Sequence, residues 1–257
     1  GTSRLRGLQI EIAGGIGTIM QALKNGPLGS GFLCPQVCGP SFLWASILAA
    51  KTGGLALMYG MTLLAGIGEA FLSRLIPKLR TLFPAEVTGL IVAMVGITVT
   101  KLAVMNFLGL ARGEAALCPS TLTVACLTLL VMVGLNVWGK GKAKLFCILI
   151  GMIFGYILAF ILQVAPRETW NEVIRAPWLT FPFTHHPGWK FSPALIIPFL
   201  VAMLCSTLKS VGDLTTCQKI NDAEWRRPDM RNISGGILAD AASAITAGIL
   251  GGVGQST

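Results

Sequence analysis

Two ionisable residues stand four apart near the end of an otherwise apolar stretch. From Phe191 to Leu208 the sequence carries no charge, and Lys209 and Asp213 follow within the same helix-length segment. A Lys or Asp at the centre of a lipid-facing helix costs about 2.5 to 3.5 kcal/mol, so such residues usually face protein or a watered cavity. A spacing of four puts both side chains on one helix face. The pair predicts a polar site inside a membrane protein, able to bind a solute by charge and hydrogen bonding.

The same pair has a second interpretation, which the sequence leaves open. Lys209 and Asp213 can neutralise each other across one helical turn, as a structural ion pair that contacts no ligand. Among the other acids in apolar segments, Asp240 is expected to cap or pair with a neighbouring helix. Glu11 and Glu69 lie near the ends of predicted spans, so we expect them at the membrane interface.

Composition indicates that lipid is the main solvent of this chain. Of its 257 residues 12% are charged and 53% are hydrophobic, and the mean hydropathy is +0.72; a soluble domain has about 25% charged residues. The net charge is +9, yet no basic run is interleaved with aromatic residues as in a nucleic-acid-binding surface. We therefore expect no nucleic-acid partner and attribute the excess charge to membrane topology.

Cysteine and histidine do not form a metal or redox motif. Most of the seven cysteines lie in apolar runs, as small buried hydrophobes do. Cys34 and Cys38 form a CxxxC without a nearby histidine, and the adjacent His185 and His186 would need further ligands. The sequence contains no HExxH, GxSxG or phosphate-binding loop. We therefore expect no metal, no cofactor and no enzymatic activity.

Apolar segments of helix length recur along the chain, and a crossing helix needs about 20 residues. The predicted spans are residues 52–73, 86–108, 119–138, 145–164, 193–218 and 233–252, and residues 8–23 form a marginal or shortened span. Gly151 and Gly155 form a GxxxG spacing, which predicts close helix packing. The loops after residues 23, 73, 138 and 218 hold most of the Lys and Arg, which predicts that they are cytoplasmic. This pattern predicts a multi-pass protein of a cell membrane. The expected location is the bacterial inner membrane.

The segment from Gly26 to Ser41 interrupts the pattern. It holds Pro27, Pro35 and Pro40 with four glycines, in a charge-free run that continues to Ala50. Proline removes a backbone donor and glycine favours turns. Non-helical backbone at membrane depth is tolerated where it is buried in protein or lines a cavity, so the broken segment predicts part of a binding site.

Two further features concern the connections and the ends of the chain. Residues 165–190 form a long connection with Trp170, Trp178 and Trp189, which predicts contact with the membrane surface. The sequence opens on Gly1 without an initiator Met and stops at Thr257 directly after an apolar run. We therefore expect an internal piece of a longer protein.

Three sequence blocks together resemble a known family. They are GSGFLCPQVCGPSF at residues 29–42, LKSVGDLTTCQKI at residues 208–220 and NISGGILADAASAITAGILGGVGQST at residues 232–257. In this order they resemble the third, the eighth, and the ninth and opening tenth transmembrane segments of the nucleobase/ascorbate transporter family, the xanthine/uracil permeases of the nucleobase:cation symporter-2 type. The resemblance covers the whole chain.

The resemblance implies an all-α polytopic membrane fold of 14 spans, arranged as two inverted repeats of seven, with short strands in broken helices. By that similarity residues 1–80 hold core-domain spans, about the second to the fourth. Residues 81–165 hold gate-domain spans, about the fifth to the seventh, and 166–192 form an extracytoplasmic loop. Residues 193–257 return to the core domain, with the eighth, the ninth and the start of the tenth span.

The resemblance also implies a set of substrate-contacting positions, which are Pro40, Ser41, Phe42, Lys209, Asp213 and Gln255. Pro40 to Phe42 would offer backbone and an aromatic face to a base, although Phe42 could equally be ordinary core packing. Lys209 departs from the family, which usually has an acid there. An ammonium group only donates hydrogen bonds, so the exchange favours an acceptor-rich or anionic substrate.

The function implied is secondary active transport of a purine or pyrimidine base, or of an organic anion, by alternating access. The partners implied are a coupling proton or sodium ion, the lipid bilayer and a second copy in a homodimer. An anion transporter or channel of the sulfate-permease type is the alternative, because Lys209 would also suit an anion.

Overall fold

The protein is mostly helical. The computed structural model describes residues 2–23, 27–79, 85–110, 119–164, 187–222, 224 and 226–257. In chain order the elements are α1 (Thr2–Ala22), β1 (Val37–Cys38), α2 (Leu43–Leu79), α3 (Ala85–Phe107), α4 (Pro119–Trp138), α5 (Lys142–Leu145), α6 (Cys147–Ile161), α7 (Ile196–Asn221), α8 (Met230–Leu250) and β2 (Gln255–Ser256). Single 3-10 turns at Pro40–Phe42 and Pro193–Leu195 lead into α2 and α7.

Among the described residues, five helical stretches are long and apolar enough to cross a membrane. They are Pro40–Ile76, Gly89–Phe107, Pro119–Trp138, Pro193–Asn221 and Met230–Leu250, and Cys147–Ile161 is a shorter apolar helix. Many large apolar side chains on α3, α4 and α6 are exposed, as suits contact with lipid. The prediction of an all-α polytopic membrane protein is confirmed, and the inverted repeat of 14 spans stays a prediction.

Helix α2 is interrupted at Gly54. A straight helix of 37 residues would be about 55 Å long, whereas the hydrocarbon core of a bilayer is about 30 Å thick. Gly54 adopts φ 74° and ψ −168°, a conformation that is essentially open to glycine only. The break separates a half-helix after Phe42 from the longer part that begins at Leu55. This matches the predicted division between the run ending near Ala50 and the span at 52–73.

The broken segment predicted from its prolines is non-helical. Residues 27–39 contain no helix, and the two residues of β1 pair antiparallel with β2 from the other end of the chain. Val37 lies opposite Ser256 and Cys38 opposite Gln255. Pro35 and Pro40 flank β1 and supply no N–H group, so this stretch cannot complete a helical ladder. The prediction of short strands within broken helices is confirmed.

The chain divides into two compact units, residues 1–96 with 179–257 and residues 97–178. In the first unit α8 packs against α1 and α2, and α7 packs against α2. Its core contains fully buried large side chains, including Tyr59, Met61, Phe199, Leu214 and Ile237. The core and gate roles assigned from the family resemblance stay predictions.

The end of the long connection is packed against the first unit. The Lys190 N–H donates to the Ala56 carbonyl at 2.9 Å, and the Trp189 indole Nε1 donates to the Gly248 carbonyl at 2.9 Å. A Cβ at Gly60 would lie 2.1 Å from the Lys190 carbonyl oxygen, so glycine permits this approach. Trp170, Trp178, His185 and His186 lie outside the described residues.

In the second unit the GxxxG glycines lie where α6 meets α4. A Cβ at Gly151 would lie 2.2 Å from Met132 Cγ, and a Cβ at Gly155 would lie 2.7 Å from Thr128 Oγ1. Helices pack this closely in membranes through small residues at the contact. The predicted packing role of the two glycines is confirmed.

We expect Gly151→Ala to lower the free energy of unfolding by about 1 to 3 kcal/mol, because the new methyl overpacks the α4–α6 contact. Gly134→Ala is the matched control, since its Cβ would make only an ordinary contact of 3.8 Å with Trp138. Thermal unfolding of the detergent-purified protein measures both variants. Equal melting temperatures for the two would contradict the packing role.

Candidate functional site

Lys209 and Asp213 form an ion pair on α7. The Lys209 Nζ donates to Asp213 Oδ2 at 2.9 Å, and the side chains are 18% and 39% exposed. The same ammonium donates to the backbone carbonyl of Thr257, directly after β2. An ammonium has three donors, so these two bonds leave one for a ligand. The pair is therefore anchored beside the place where β1 and β2 pair, which we call the strand crossing, and its side chains are only partly buried.

The turn Pro40–Phe42 packs against α7 and follows β1 directly. The Gly39 N–H donates to the Gly254 carbonyl at 2.9 Å, which continues the contact between the two broken segments. The Ser41 Oγ is buried without a hydrogen-bond partner among the described residues. The structure thus brings Pro40 and Ser41 to the helix that carries Lys209 and Asp213.

Phe42 is 1% exposed and belongs to the core cluster that includes Tyr59 and Met61. A Cβ at Gly254 would lie 2.5 Å from the ring atoms Cγ and Cδ2 of Phe42. The ring therefore rests directly on the backbone before β2. This burial favours core packing over stacking on a ligand in the conformation observed.

Among the predicted substrate-contacting residues, Gln255 is the one whose side chain contacts α1. Its side chain is fully buried and lies against α1, where Nε2 donates to the Ile10 carbonyl at 3.5 Å. The Ser256 Oγ lies on the other face of β2, 2.8 Å from where a Cβ at Gly39 would be. Neighbouring residues of a strand point to opposite faces, and sequence alone does not show which one faces the site.

Asp240 holds the two broken segments to the helices. It is fully buried on α8, and its Oδ1 accepts from Gln36 Nε2 while its Oδ2 accepts from Ser210 Oγ. Thr257 Oγ1 donates to the same Oδ2 at 3.2 Å. Because Ser210 is on α7, these contacts agree with the expectation that Asp240 pairs with a neighbouring helix. Gln36 and Ser210 were not predicted, although a glutamine inside a charge-free broken span was a usable signal.

The expected interfacial position of Glu69 is wrong. Its side chain is fully buried, and its Oε1 accepts from Thr207 Oγ1 of α7 at 3.2 Å. The error arises because α2 continues to Leu79, beyond the predicted end at residue 73. Glu69 therefore lies ten residues inside the helix. Glu11, by contrast, is exposed on α1.

No metal site is evident in the part of the chain that the structure describes, where no group of three or more His, Cys, Asp or Glu side chains converges. The two cysteines of the CxxxC lie in different environments. Cys34 is buried with its Sγ 3.6 Å from Cys217 Sγ, whereas Cys38 is exposed in β1.

The fold defines a polytopic membrane protein, in which two broken segments cross beside a partly buried ion pair. Comparison with known sequences agrees. The model of the xanthine/uracil permeases, described as the Permease family, matches residues 10–257. The chain belongs to this family, so the predicted resemblance is confirmed. Its members are permeases rather than enzymes.

Three curated relatives illustrate the similarity. A putative purine permease of Clostridium perfringens is 28% identical over 240 residues, which cover 93% of this chain and 52% of the relative. A xanthine permease of Escherichia coli K12 is 29% identical over 262 residues, with 96% and 55% covered. A probable uracil permease of Pasteurella multocida is 26% identical over 253 residues, with 96% and 57% covered. The chain spans about half the length of these relatives.

We expect Asp240→Ala to lower the free energy of unfolding by about 3 kcal/mol, because it leaves buried donors of Gln36, Ser210 and Thr257 without their acceptor. The control is Asp222→Ala, at an exposed carboxylate beyond the end of α7, which should change stability by less than about 0.5 kcal/mol. Denaturation in detergent measures both. An unchanged midpoint for Asp240→Ala would show that the buried network does not support the fold.

Proposed function

We propose that the complete protein is a permease that moves a nucleobase-like substrate of the xanthine, uracil or urate class by alternating access, coupled to a cation. One observation carries the proposal: the antiparallel pairing of β1 with β2 beside the Lys209–Asp213 pair. The named functions of the relatives, which are purine, xanthine and uracil permeases, support it. A bacterial inner membrane and a homodimeric assembly belong to the same proposal.

The strand crossing suits a small polar substrate. Strands in place of helix expose backbone N–H and C=O groups at a depth where lipid offers no partners, and such groups usually line a site or are buried in protein. The partly exposed Asp213 carboxylate accepts hydrogen bonds and the Lys209 ammonium donates them. A nucleobase presents both ring N–H donors and carbonyl acceptors, so it can hydrogen-bond to the carboxylate and to the ammonium.

Lys209 biases the site toward acceptors on the substrate. Its one remaining donor has to meet an oxygen or a nitrogen lone pair. The carbonyl groups of xanthine, urate or uracil supply such acceptors, and a deprotonated purine adds negative charge. Asp213 lies 2.9 Å from the ammonium and offsets its charge, which favours an acceptor-rich neutral base over a strongly anionic compound.

An anion transporter or channel of the sulfate-permease type is the second candidate. The observation in its favour is again Lys209, a cationic side chain that is partly buried beside the strand crossing. An anion would then compete with Asp213 for the ammonium. Ion currents that saturate only weakly with concentration would favour this candidate, whereas coupled uptake of a base would count against it.

We expect Lys209→Ala to reduce uptake at least about tenfold, which corresponds to roughly 1.4 kcal/mol of lost interaction. The measurement is uptake of radiolabelled xanthine and uracil into vesicles that contain the full-length protein. Lys219→Ala is the matched control, because Lys219 is exposed at the end of the same helix, and its uptake should stay at the level of the unmodified protein. Unchanged uptake by Lys209→Ala would remove Lys209 from the site.

We expect Gly254→Ala to impair uptake strongly, because the new Cβ would lie 2.5 Å from the Phe42 ring and would displace the turn at Pro40. Gly252→Ala is the control, since its Cβ would meet its nearest neighbours at 3.4 Å. The same vesicle assay compares the two variants after matching their amounts in the membrane. Equal uptake would show that the contact between Phe42 and Gly254 does not shape the site.

A further inference from the structure

Glu69 is a buried carboxyl group that the proposed substrate site does not use. It lies on α2 with 0% of its side chain exposed. Its Oε1 accepts from Thr207 Oγ1 at 3.2 Å, and its Oε2 has no hydrogen-bond partner among the described residues. Among the buried side-chain atoms that lack a hydrogen-bond partner in the described residues, it is the one carboxylate oxygen, and leaving a charged group unpaired costs more than leaving a hydroxyl or an amide unpaired.

Asp240 shows what a satisfied buried carboxylate looks like in the same unit. Both of its oxygens are engaged: Oδ1 accepts from Gln36 Nε2 and Oδ2 accepts from Ser210 Oγ, while the Thr257 hydroxyl is shared between Asp240 Oδ2 and Ser210 Oγ. Among the described residues Glu69 has a single donor, Thr207, whose hydroxyl also lies 2.9 Å from the Met203 carbonyl. One hydroxyl has one proton to donate, so Thr207 cannot satisfy Glu69 and Met203 at once. The two buried acids therefore differ: the hydrogen bonds around Asp240 suit a carboxylate, and those around Glu69 do not.

The surroundings of Glu69 favour its neutral form. Removing a carboxylate from water costs several kcal/mol unless a cation or several donors compensate. Within the described ranges the salt bridge of the first unit joins Lys209 to Asp213, and Glu69 has no cationic partner. A bound proton removes this cost and gives Oε2 a hydrogen.

The position of Glu69 connects it to the candidate substrate site through α7. Its partner Thr207 precedes Lys209 by two residues, which places the two side chains on nearly opposite faces of the helix at about 100° per residue. One face of α7 thus covers Glu69 and the other carries the Lys209–Asp213 pair. A displacement of α7 that opens one of them to water also changes the surroundings of the other.

We propose that Glu69 is the proton-binding site that couples transport to the proton gradient. The proton adds to Oε2 from water on one side of the membrane, and the carboxyl enters its buried position uncharged. After the conformational change it returns the proton to water on the other side, and the carboxylate re-forms. No other bond is made or broken. The inference rests on the proposed function, since it assigns the coupling ion of that transport cycle.

A proton fits this position better than a metal cation. Hard cations are held by several oxygen ligands at once, whereas Glu69 has one hydroxyl partner, Thr207, in the part of the chain that the structure describes. The described residues also contain no cluster of acidic, His or Cys side chains that could hold a metal ion.

Two transport modes of the full-length protein in proteoliposomes test the assignment. Counterflow of radiolabelled xanthine or uracil without a pH difference measures substrate exchange, and accumulation driven by a pH difference of about one unit measures coupling. One proton per substrate permits about tenfold accumulation under that gradient. We expect Glu69→Gln, a neutral isostere of the protonated acid, to keep counterflow and lose the accumulation. Glu11→Gln, the same change at an exposed acid, should keep both.

Each outcome separates this inference from the proposed function. Absence of counterflow in the unmodified protein would refute the proposed function itself. Normal counterflow with undiminished accumulation in Glu69→Gln would overturn the inference, as would accumulation driven by a sodium gradient that Glu69→Gln abolishes. If Glu69→Gln does not fold, Glu69→Asp provides the test. This variant keeps a carboxyl group and should accumulate substrate, and its failure to do so despite normal counterflow would also overturn the assignment.

Discussion

Backbone hydrogen bonding within the bilayer is the constraint on which this structure depends. Every N–H and C=O group at membrane depth needs a partner inside the protein, because lipid supplies none. The prolines between residues 27 and 40 prevent a helix there, so β1 and β2 pair with each other instead. The two broken segments are far apart in the sequence, and their pairing creates the strand crossing beside α7.

Close backbone approach and one buried acid hold this crossing in place. Glycines at 39 and 254 let the two segments meet at hydrogen-bonding distance and let the Phe42 ring rest on the backbone. Asp240 then ties both segments to α7 and α8 through Gln36, Ser210 and Thr257. The ammonium of Lys209 adds a further contact to Thr257. Fold and candidate site are therefore maintained by the same contacts.

Sequence reasoning succeeded where a residue type has one dominant physical consequence. Runs of apolar residues predicted the membrane helices, clustered prolines predicted the break, and the GxxxG spacing predicted the approach of α6 to α4. It failed for Glu69, whose burial depended on how far α2 extends and on what α7 places against it. It also missed Ser210, because small polar side chains occur in membrane helices for several unrelated reasons, and Gln36, although a glutamine in a charge-free broken segment was a usable signal.

By itself the sequence determined that the chain is a membrane protein, where its helices break, and that Lys209 and Asp213 share one helix face, since these follow from hydropathy, backbone chemistry and helical period. The tertiary structure decided which partners those residues meet. It placed Thr257 against Lys209, turned Gln255 toward α1, gave Asp240 partners from three residues and left one oxygen of Glu69 without a partner in the described part of the chain. Such pairings join residues up to 245 positions apart, and neither local propensity nor hydrophobic period encodes them.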